Sequence, residues 1–337
     1  MLIHNRTGKI IIGVDAGNFN IKTANFCFPF GVYKSDEHRD IFTELLYEQT
    51  YYTLAENPLP IANDRTKDNN FKTLTFIGVM KELLQSGINL TKPMEISLAV
   101  GLPINRYNVE KLKKNLQNYY KGTHLLEYDG HVAELVIKDV FVFPQGFPAL
   151  YSKNPTSRMI EMAEYSGTGI PYDYILRNEP DTLIVDIGGG TVDVTTLKDG
   201  IPSGENFFSL DLGLHSCYIK MNDEAALLED YGGGLGHSFI TSYLLGMKTN
   251  LIDEEKEIIR SNIQTYASNL IAELKNRVRK LNKYYVLLVG GGADVVYNSL
   301  KPIGAIRNLD MLSSVNANAQ GYEEMAQRYY TANASNA

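Results

Sequence analysis

Leu183–Leu197 reads LIVDIGGGTVDVTTL. An apolar run ends near Asp186, three glycines follow (Gly188, Gly189, Gly190), and a second β-prone run carries Thr191 and Asp193. Rich in Val, Ile and Thr and interrupted by glycine, the stretch predicts two strands joined by a tight turn. Glycine lets a backbone approach a ligand closely, and successive N–H groups can line a concavity that holds an anion. Three adjacent glycines would weaken a purely structural hairpin by about 0.5–1 kcal/mol each relative to alanine, so a ligand is the expected reason for them. Asp186, beside that concavity, is expected to hold a metal ion on a bound phosphate. Asp193, two residues into the next strand, is read as facing solvent.

The same logic recurs at Ile10–Lys22, IIIGVDAGNFNIK. Here Asp15 closes the strand and Gly17, Asn18, Phe19 and Asn20 make the turn. The functional reading has Asp15 holding magnesium through water, the amides of Gly17–Asn20 capping a phosphate, and Lys22 supplying a point charge. The plain reading is an ordinary hairpin with a polar turn, since D-x-G is common. A third glycine turn, Gly290, Gly291, Gly292 and Ala293, follows the apolar run Tyr284–Val289. On its own it reads equally well as a simple strand–helix connection. Two phosphate hairpins in one chain predict two similar domains that clamp a single nucleotide.

Composition narrows the alternatives. The chain has 337 residues, 44% of them hydrophobic, which suits two domains with substantial cores. Its net charge is −7, so a broad nucleic-acid footprint, which needs a basic surface, is not expected. Cys27 and Cys217 have no metal-ligand spacing and read as thiols in a reducing compartment. No run approaches the roughly 20 apolar residues of a membrane span. Residues 1–10 show neither a signal-peptide core nor an amphipathic face, so a soluble cytoplasmic protein without a membrane partner is expected. None of the six histidines falls in a metal-binding motif, and neither G-x-S-x-G nor G-x-x-x-x-G-K-[ST] occurs.

Along the chain, Ile96–Leu102 reads as a strand covered on both faces, Val109–Tyr120 as a helix and Leu135–Phe143 as a strand. Phe71–Val79 is expected to be a strand within an irregular segment from Tyr33 to Ser86. Residues 155–180 are expected to form a variable insertion. Leu214–Leu228 and Glu254–Asn282 read as helices, the latter acidic at its start and basic at its end, as the helix dipole favours. Strands alternating with helices predict an α/β chain with a mostly parallel sheet. The expected division is a first domain over 1–150 plus a C-terminal helix at 311–337, with an inserted subdomain at 33–90, and a second domain over 151–310.

The three turns, in this order and at about this separation, resemble the phosphate-1, phosphate-2 and adenosine motifs of the actin–hexokinase–heat-shock-chaperone ATPase superfamily. Within it the chain is similar to the bacterial plasmid-partitioning actins of the ParM/StbA type. Val142–Ala149 (VFPQGFPA) resembles their water-positioning segment, and Val315–Tyr322 (VNANAQGY) resembles their A-N-A-x-G-[FY] helix. The resemblance implies two actin-like (ribonuclease H-like) domains with a nucleotide cleft, ATP or GTP as cofactor, and Mg2+ organised by Asp15 and Asp186. It implies that Gln145 aligns the attacking water, and that Arg260 and Gln264 approach the base or ribose. It further implies slow hydrolysis coupled to filament formation, with self and an adaptor bound to centromere-like plasmid DNA as partners. Two alternatives share the fold: a small-metabolite kinase, and a cytoskeletal or division actin not tied to plasmids. A chaperone-like ATPase would be expected to continue beyond such a core.

Overall fold

A computed structural model of the chain describes residues 1–3, 8–39, 43–56, 59, 65–67, 69–152, 181–228 and 234–334. The expected insertion at 155–180 lies outside them. The chain divides into two compact units, Met1–Lys153 with Val315–Ala337, and Asn154–Ser314.

The first unit holds β1 (Leu2–Ile3), β2 (Ile10–Ala16), β3 (Asn20–Lys22), β4 (Cys27–Pro29), β5 (Val32–Ser35), β6 (Glu44–Tyr47) and β7 (Thr50–Leu54). After these come α1 (Asn69–Gln85), β8 (Met94–Leu102), α2 (Ile104–Tyr107), α3 (Glu110–Tyr120), β9 (Gly122–Tyr128) and β10 (His131–Pro144). The strands form one sheet in the order β4-β3-β2-β8-β10-β9-β6-β7-β5, with β1 on β2. The pairs β2–β8 and β8–β10 are parallel and the rest antiparallel.

The parallel centre is covered on both faces, as such strands require. Ile12 and Val14 of β2, with Ile96, Leu98 and Val100 of β8, pack in the core to which α1 contributes Phe71, Leu74 and Ile77. Ile11 and Ala99 point the other way, onto Tyr322 and Ala326 of the C-terminal helix, Ala317–Ala334. Ile11 and Ile12 are both fully buried, each contributing about 1.5–3 kcal/mol. In β10 a register irregularity between Ile137 and Asp139 changes the strand's phase. Leu135 and Ile137 before it, and Val140 and Val142 after it, therefore face the same core.

The C-terminal helix lies very close to the sheet. A Cβ at Gly13 would sit 2.0 Å from the Ala319 carbonyl oxygen, so only glycine fits there. The Gly13 N–H, on the central strand, donates to Glu323 Oε1 at 3.0 Å. Glu323 is fully buried, and burial raises its carboxyl above the ordinary range. The Met1 ammonium, 2.9 Å from Glu323 and 3.0 Å from Glu82, partly offsets that cost.

Three expectations are corrected. The first sheet is mostly antiparallel and not mostly parallel, because only β2, β8 and β10 are joined by helical crossovers while hairpins join most of the other strands. Phe71–Val79 lies inside the 17-residue helix α1. The helix is buried on most of its circumference, so its residues show no 3.6-residue polarity period and imitate a covered strand. The segment expected to be irregular from Tyr33 onward instead supplies β5, β6 and β7, which extend the sheet through the β6–β9 pairing.

The second unit holds β11 (Thr182–Ile187), β12 (Val192–Lys198), β13 (Ile201–Leu210), α4 (Leu214–Ala226), α5 (His237–Leu244), α6 (Asp253–Arg277), β14 (Tyr285–Val289), α7 (Ala293–Leu300) and β15 (Asn308–Met311). Its sheet runs β13-β12-β11-β14-β15. Asp199 and Gly200, both at positive φ, turn β12 into β13. Ile259, Ile263, Leu270 and Leu274 of α6 join Val185 and Val286 in its core. Asp253, Glu254 and Glu255 open α6, and Glu255 accepts the Ile252 N–H at 2.9 Å.

The two sheets share one plan. In each, three antiparallel strands (β4-β3-β2, β13-β12-β11) are followed by two strands added in parallel (β8 and β10, β14 and β15). The repeated hairpin sequence is thus the visible part of a duplicated five-strand topology.

One consequence concerns pH. His124 is buried, with Nε2 2.9 Å from the Tyr120 carbonyl and Nδ1 3.1 Å from the Tyr47 hydroxyl. Burial holds its pKa below the ordinary imidazole value, and burial does the same to His215. A depressed histidine pKa means that the unfolded chain binds more protons. The stability these groups contribute is therefore present above about pH 6.5 and lost as pH falls through the folded values. Urea midpoints should fall from pH 7 to pH 5, and His124→Gln should flatten that slope. An unchanged slope in the variant would overturn this assignment.

Candidate functional site

Each unit carries a buried aspartate at the end of a strand covered on both faces, followed by a two-residue hairpin tip. In the first, Asp15 pairs across the ladder with Lys22. The Gly17 N–H donates to the Asn20 carbonyl at 3.0 Å, leaving Asn18 and Phe19 at the tip. In the second, Asp186 pairs with Asp193, and the Gly188 N–H donates to the Thr191 carbonyl at 2.9 Å, with Gly189 and Gly190 at the tip. The amides of Gly17 and Gly188 therefore close their hairpins. This corrects the expectation that the Gly17 amide faces a phosphate.

Asp15 is 2% exposed. Its Oδ2 lies 3.4 Å from Lys22 Nζ, and its Oδ1 accepts from Gln145 Nε2 at 3.2 Å. Lys22 is itself buried. A carboxylate in such surroundings is tolerated because a cation and an amide donor face its two oxygens. Gln145 reaches it from the turn after β10, where its own N–H donates to the Leu102 carbonyl at 2.9 Å. The first unit thus brings together Asp15, Lys22 and Gln145, which are 130 residues apart at the extremes.

In the second unit the glycine tip is braced from behind. The Leu214 N–H donates to the Gly188 carbonyl at 3.1 Å, and the His215 N–H to the Gly189 carbonyl at 3.0 Å. Both belong to the first turn of α4. A Cβ at Gly213 would sit 2.1 Å from the Gly189 oxygen. Gly213 was not singled out by the sequence reading. Its signal is a lone glycine between a strand and a helix, D-x-G-x-x in form.

The third turn folds onto the second. Gly290 has φ +87°, and a Cβ there would lie 2.1 Å from Asp186 Oδ1. The Gly292 N–H donates to the Ile187 carbonyl at 2.9 Å, and α7 begins at Ala293. Asp186, Gly188–Thr191 and the turn Gly290–Ala293 thus form one neighbourhood.

Other expectations fare differently. Asp193 does not face solvent. It is 3% exposed, accepting from the Ser209 hydroxyl and from Thr191 Oγ1, the latter at 3.2 Å. The pleat sends it away from Val192 and Val194 of the core, onto the other face of the sheet, where Ser209, its partner across the β12–β13 ladder, covers it. Arg260 and Gln264 lie on the exposed flank of α6. Arg260 is engaged by Glu257 at 2.9 Å and by the Tyr243 hydroxyl at 2.7 Å.

Among the described residues no group of three or more His, Cys, Asp and Glu side chains could hold a metal ion. Each unit instead supplies one buried strand-end aspartate. A lone carboxylate does not make an all-protein cage, and it suits an ion such as Mg2+ that keeps waters and phosphate oxygens for its other ligands.

Residues 13–147 match a family model described as the N-terminal domain of actin like proteins. Among solved structures, the actin-like protein Alp7A matches with a TM-score of 0.74 at 16% identity, covering 97% of this chain and 98% of its own. An archaeal actin homolog, Ta0583, matches with a TM-score of 0.70 at 19% identity, covering 95% and 99%. The ParM of a 15-stranded filament from Clostridium botulinum matches with a TM-score of 0.70 at 22% identity, again covering 95% and 99%. This chain has the actin-like fold. No curated protein matches it in sequence. The actin-like fold accounts for the duplicated plan, one copy of the five-strand sheet in each unit. Among the described residues, no helix of this actin-like chain is long and apolar enough to cross a membrane.

The packing of the third turn is testable by substitution. Gly246 has φ +74° with open space around it, so Gly246→Ala costs only the left-handed backbone penalty, about 1–2 kcal/mol. Gly290→Ala adds a collision with Asp186 and Ile187, so it should cost at least about 1 kcal/mol more in denaturant unfolding. Equal costs would show that the turn does not depend on contact with Asp186.

Proposed function

We propose that this chain is a nucleotide-dependent, polymerising ATPase whose filaments segregate plasmid DNA. The observation that carries the reading is the duplicated hairpin. Each unit presents one buried aspartate (Asp15, Asp186) before a glycine turn, on a fold shared with filament-forming proteins. One similar structure, of Ta0583, is a complex with ADP. Others are a ParM filament and an Alp12 filament.

In this reading the hairpins that follow Asp15 and Asp186 bind the phosphates of ATP or GTP. The tips at Asn18–Asn20 and Gly189–Thr191 lie against the phosphates, with Gly17 and Gly188 shaping them. Lys22 adds positive charge. Asp15 and Asp186 would hold Mg2+ through water, and the ion would neutralise charge on the phosphates. Gly290–Ala293 lie against the adenosine, with Arg260 and Gln264 near the base or ribose. Gln145 aligns the attacking water. Its neutral amide can donate and accept hydrogen bonds but cannot act as a strong base, so hydrolysis is slow and gated by conformation. The two units correspond to actin-like domains I and II, the first extended by the segment at 33–90.

The nucleotide-bound state favours a head-to-tail contact between copies. A contact of that kind does not close on itself and so propagates into a filament. Partners are other copies of the chain and an adaptor bound to centromere-like plasmid DNA, in the cytoplasm. The acidic chain itself need not touch DNA or membrane.

Light scattering and pelleting at micromolar protein should show assembly with Mg2+ and ATP or GTP, and none without nucleotide. Asp186→Ala should abolish it. Gln145→Ala should retain nucleotide binding while lowering phosphate release about 10- to 100-fold. Absence of assembly with either nucleotide would overturn the proposal.

A further inference from the structure

The turn that carries Gln145 is held by the C-terminal helix. Immediately after Gln145, Gly146 takes φ +88° and ψ −61°, a left-handed conformation that only glycine adopts readily. The Gly146 N–H donates to Asn318 Oδ1 at 3.1 Å, across 172 residues of sequence. Asn318 is 4% exposed, so water does not readily replace it. Two close contacts at glycines fix the helix at this place. A Cβ at Gly321 would lie 1.7 Å from the Pro148 carbonyl oxygen. A Cβ at Gly101 would lie 2.0 Å from the Tyr322 hydroxyl and 3.1 Å from Gln145 Cγ. The helix therefore touches the turn beyond Gln145 and the strand beneath it.

We infer that Asn318 is a positioning residue for Gln145: its side-chain carbonyl holds the Gly146 amide and thereby aims the Gln145 amide at Asp15. The inference rests on the water-aligning reading of Gln145. A glutamine has three side-chain torsions, so its amide is placed only if its backbone is held. The backbone on one side is held by the ladder, through Leu102. On the other side the Gly146 N–H is held by Asn318, while its carbonyl accepts only from within the same turn, from the Ala149 N–H at 3.1 Å. Loss of that acceptor frees a residue whose conformation is otherwise sparsely populated. A displacement of about 1 Å at an aligning group is enough to slow a reaction as much as 100-fold.

The test uses the full chain with Mg2+ and ATP, measuring nucleotide affinity and single-turnover phosphate release separately. Asn318→Ala should lower the hydrolysis step about tenfold while affinity stays within about twofold, and Asn318→Asp, which keeps an acceptor, should recover most of the loss. In a Gln145→Ala background, Asn318→Ala should cost nothing further, because both act through one group. If Asn318→Ala does not fold, Asn318→Ser leaves a smaller cavity and is still too short to reach the amide. Unchanged hydrolysis in Asn318→Ala or Asn318→Ser, or an equal further loss in the Gln145→Ala background, would overturn the inference. Unchanged hydrolysis in Gln145→Ala alone would overturn the water-aligning reading itself.

Discussion

A carboxylate at the end of a buried strand is the constraint on which both units turn. Asp15 and Asp186 are almost fully buried, where an unopposed charge would be very costly. The strand places each acid and the glycine turn lets other backbone close over it. In the first unit the compensation is visible as Lys22 and Gln145 on the two oxygens of Asp15. In the second, Gly290 approaches the Asp186 carboxylate so closely that a methyl group would collide with it. A site of this kind tolerates almost no displacement of its strands. The strands that bear the acids, β2 and β11, are correspondingly buried along almost their whole length.

The C-terminal helix does more than cover apolar surface. It contacts β2 at Gly13, β8 at Gly101 and the turn after β10 at Gly146 and Pro148. These are the three segments that deliver Asp15 and Gln145 to one another. Small residues on the helix (Ala317, Ala319 and Gly321) make the approach possible. Such close packing makes the helix rigid against the strands, so geometry is transmitted from the end of the chain to a turn in its middle. In the second unit the start of α4 plays a comparable part, with the amides of Leu214 and His215 gripping the glycine hairpin.

The features that were legible in the sequence are those governed by local chemistry. An acid and a glycine turn after an apolar strand located both hairpins, and a glycine run the third turn. The charge gradient of α6 and the alternation of strands and helices gave the α/β class. Misreadings came where tertiary burial overrides local pattern. α1 is so deeply packed that it lost its polar face and looked like a strand. Asp193 looked like a surface residue because its partner, Ser209, comes from the neighbouring strand β13. The Gly17 amide looked available for a ligand because hairpin closure by Asn20 depends on register, which sequence spacing does not specify.

The sequence by itself determined the kinds of turn, the acids that close the strands and the repetition of that pattern, because these depend on backbone freedom and on residues within a few positions of each other. Only the tertiary structure decided that the two copies share a five-strand order, that Gly290 lies against Asp186, and that Asn318 holds the turn of Gln145. Those relations join residues about 100 to 170 positions apart. Strand order and helix packing set them, through burial and excluded volume that no local stretch of sequence contains.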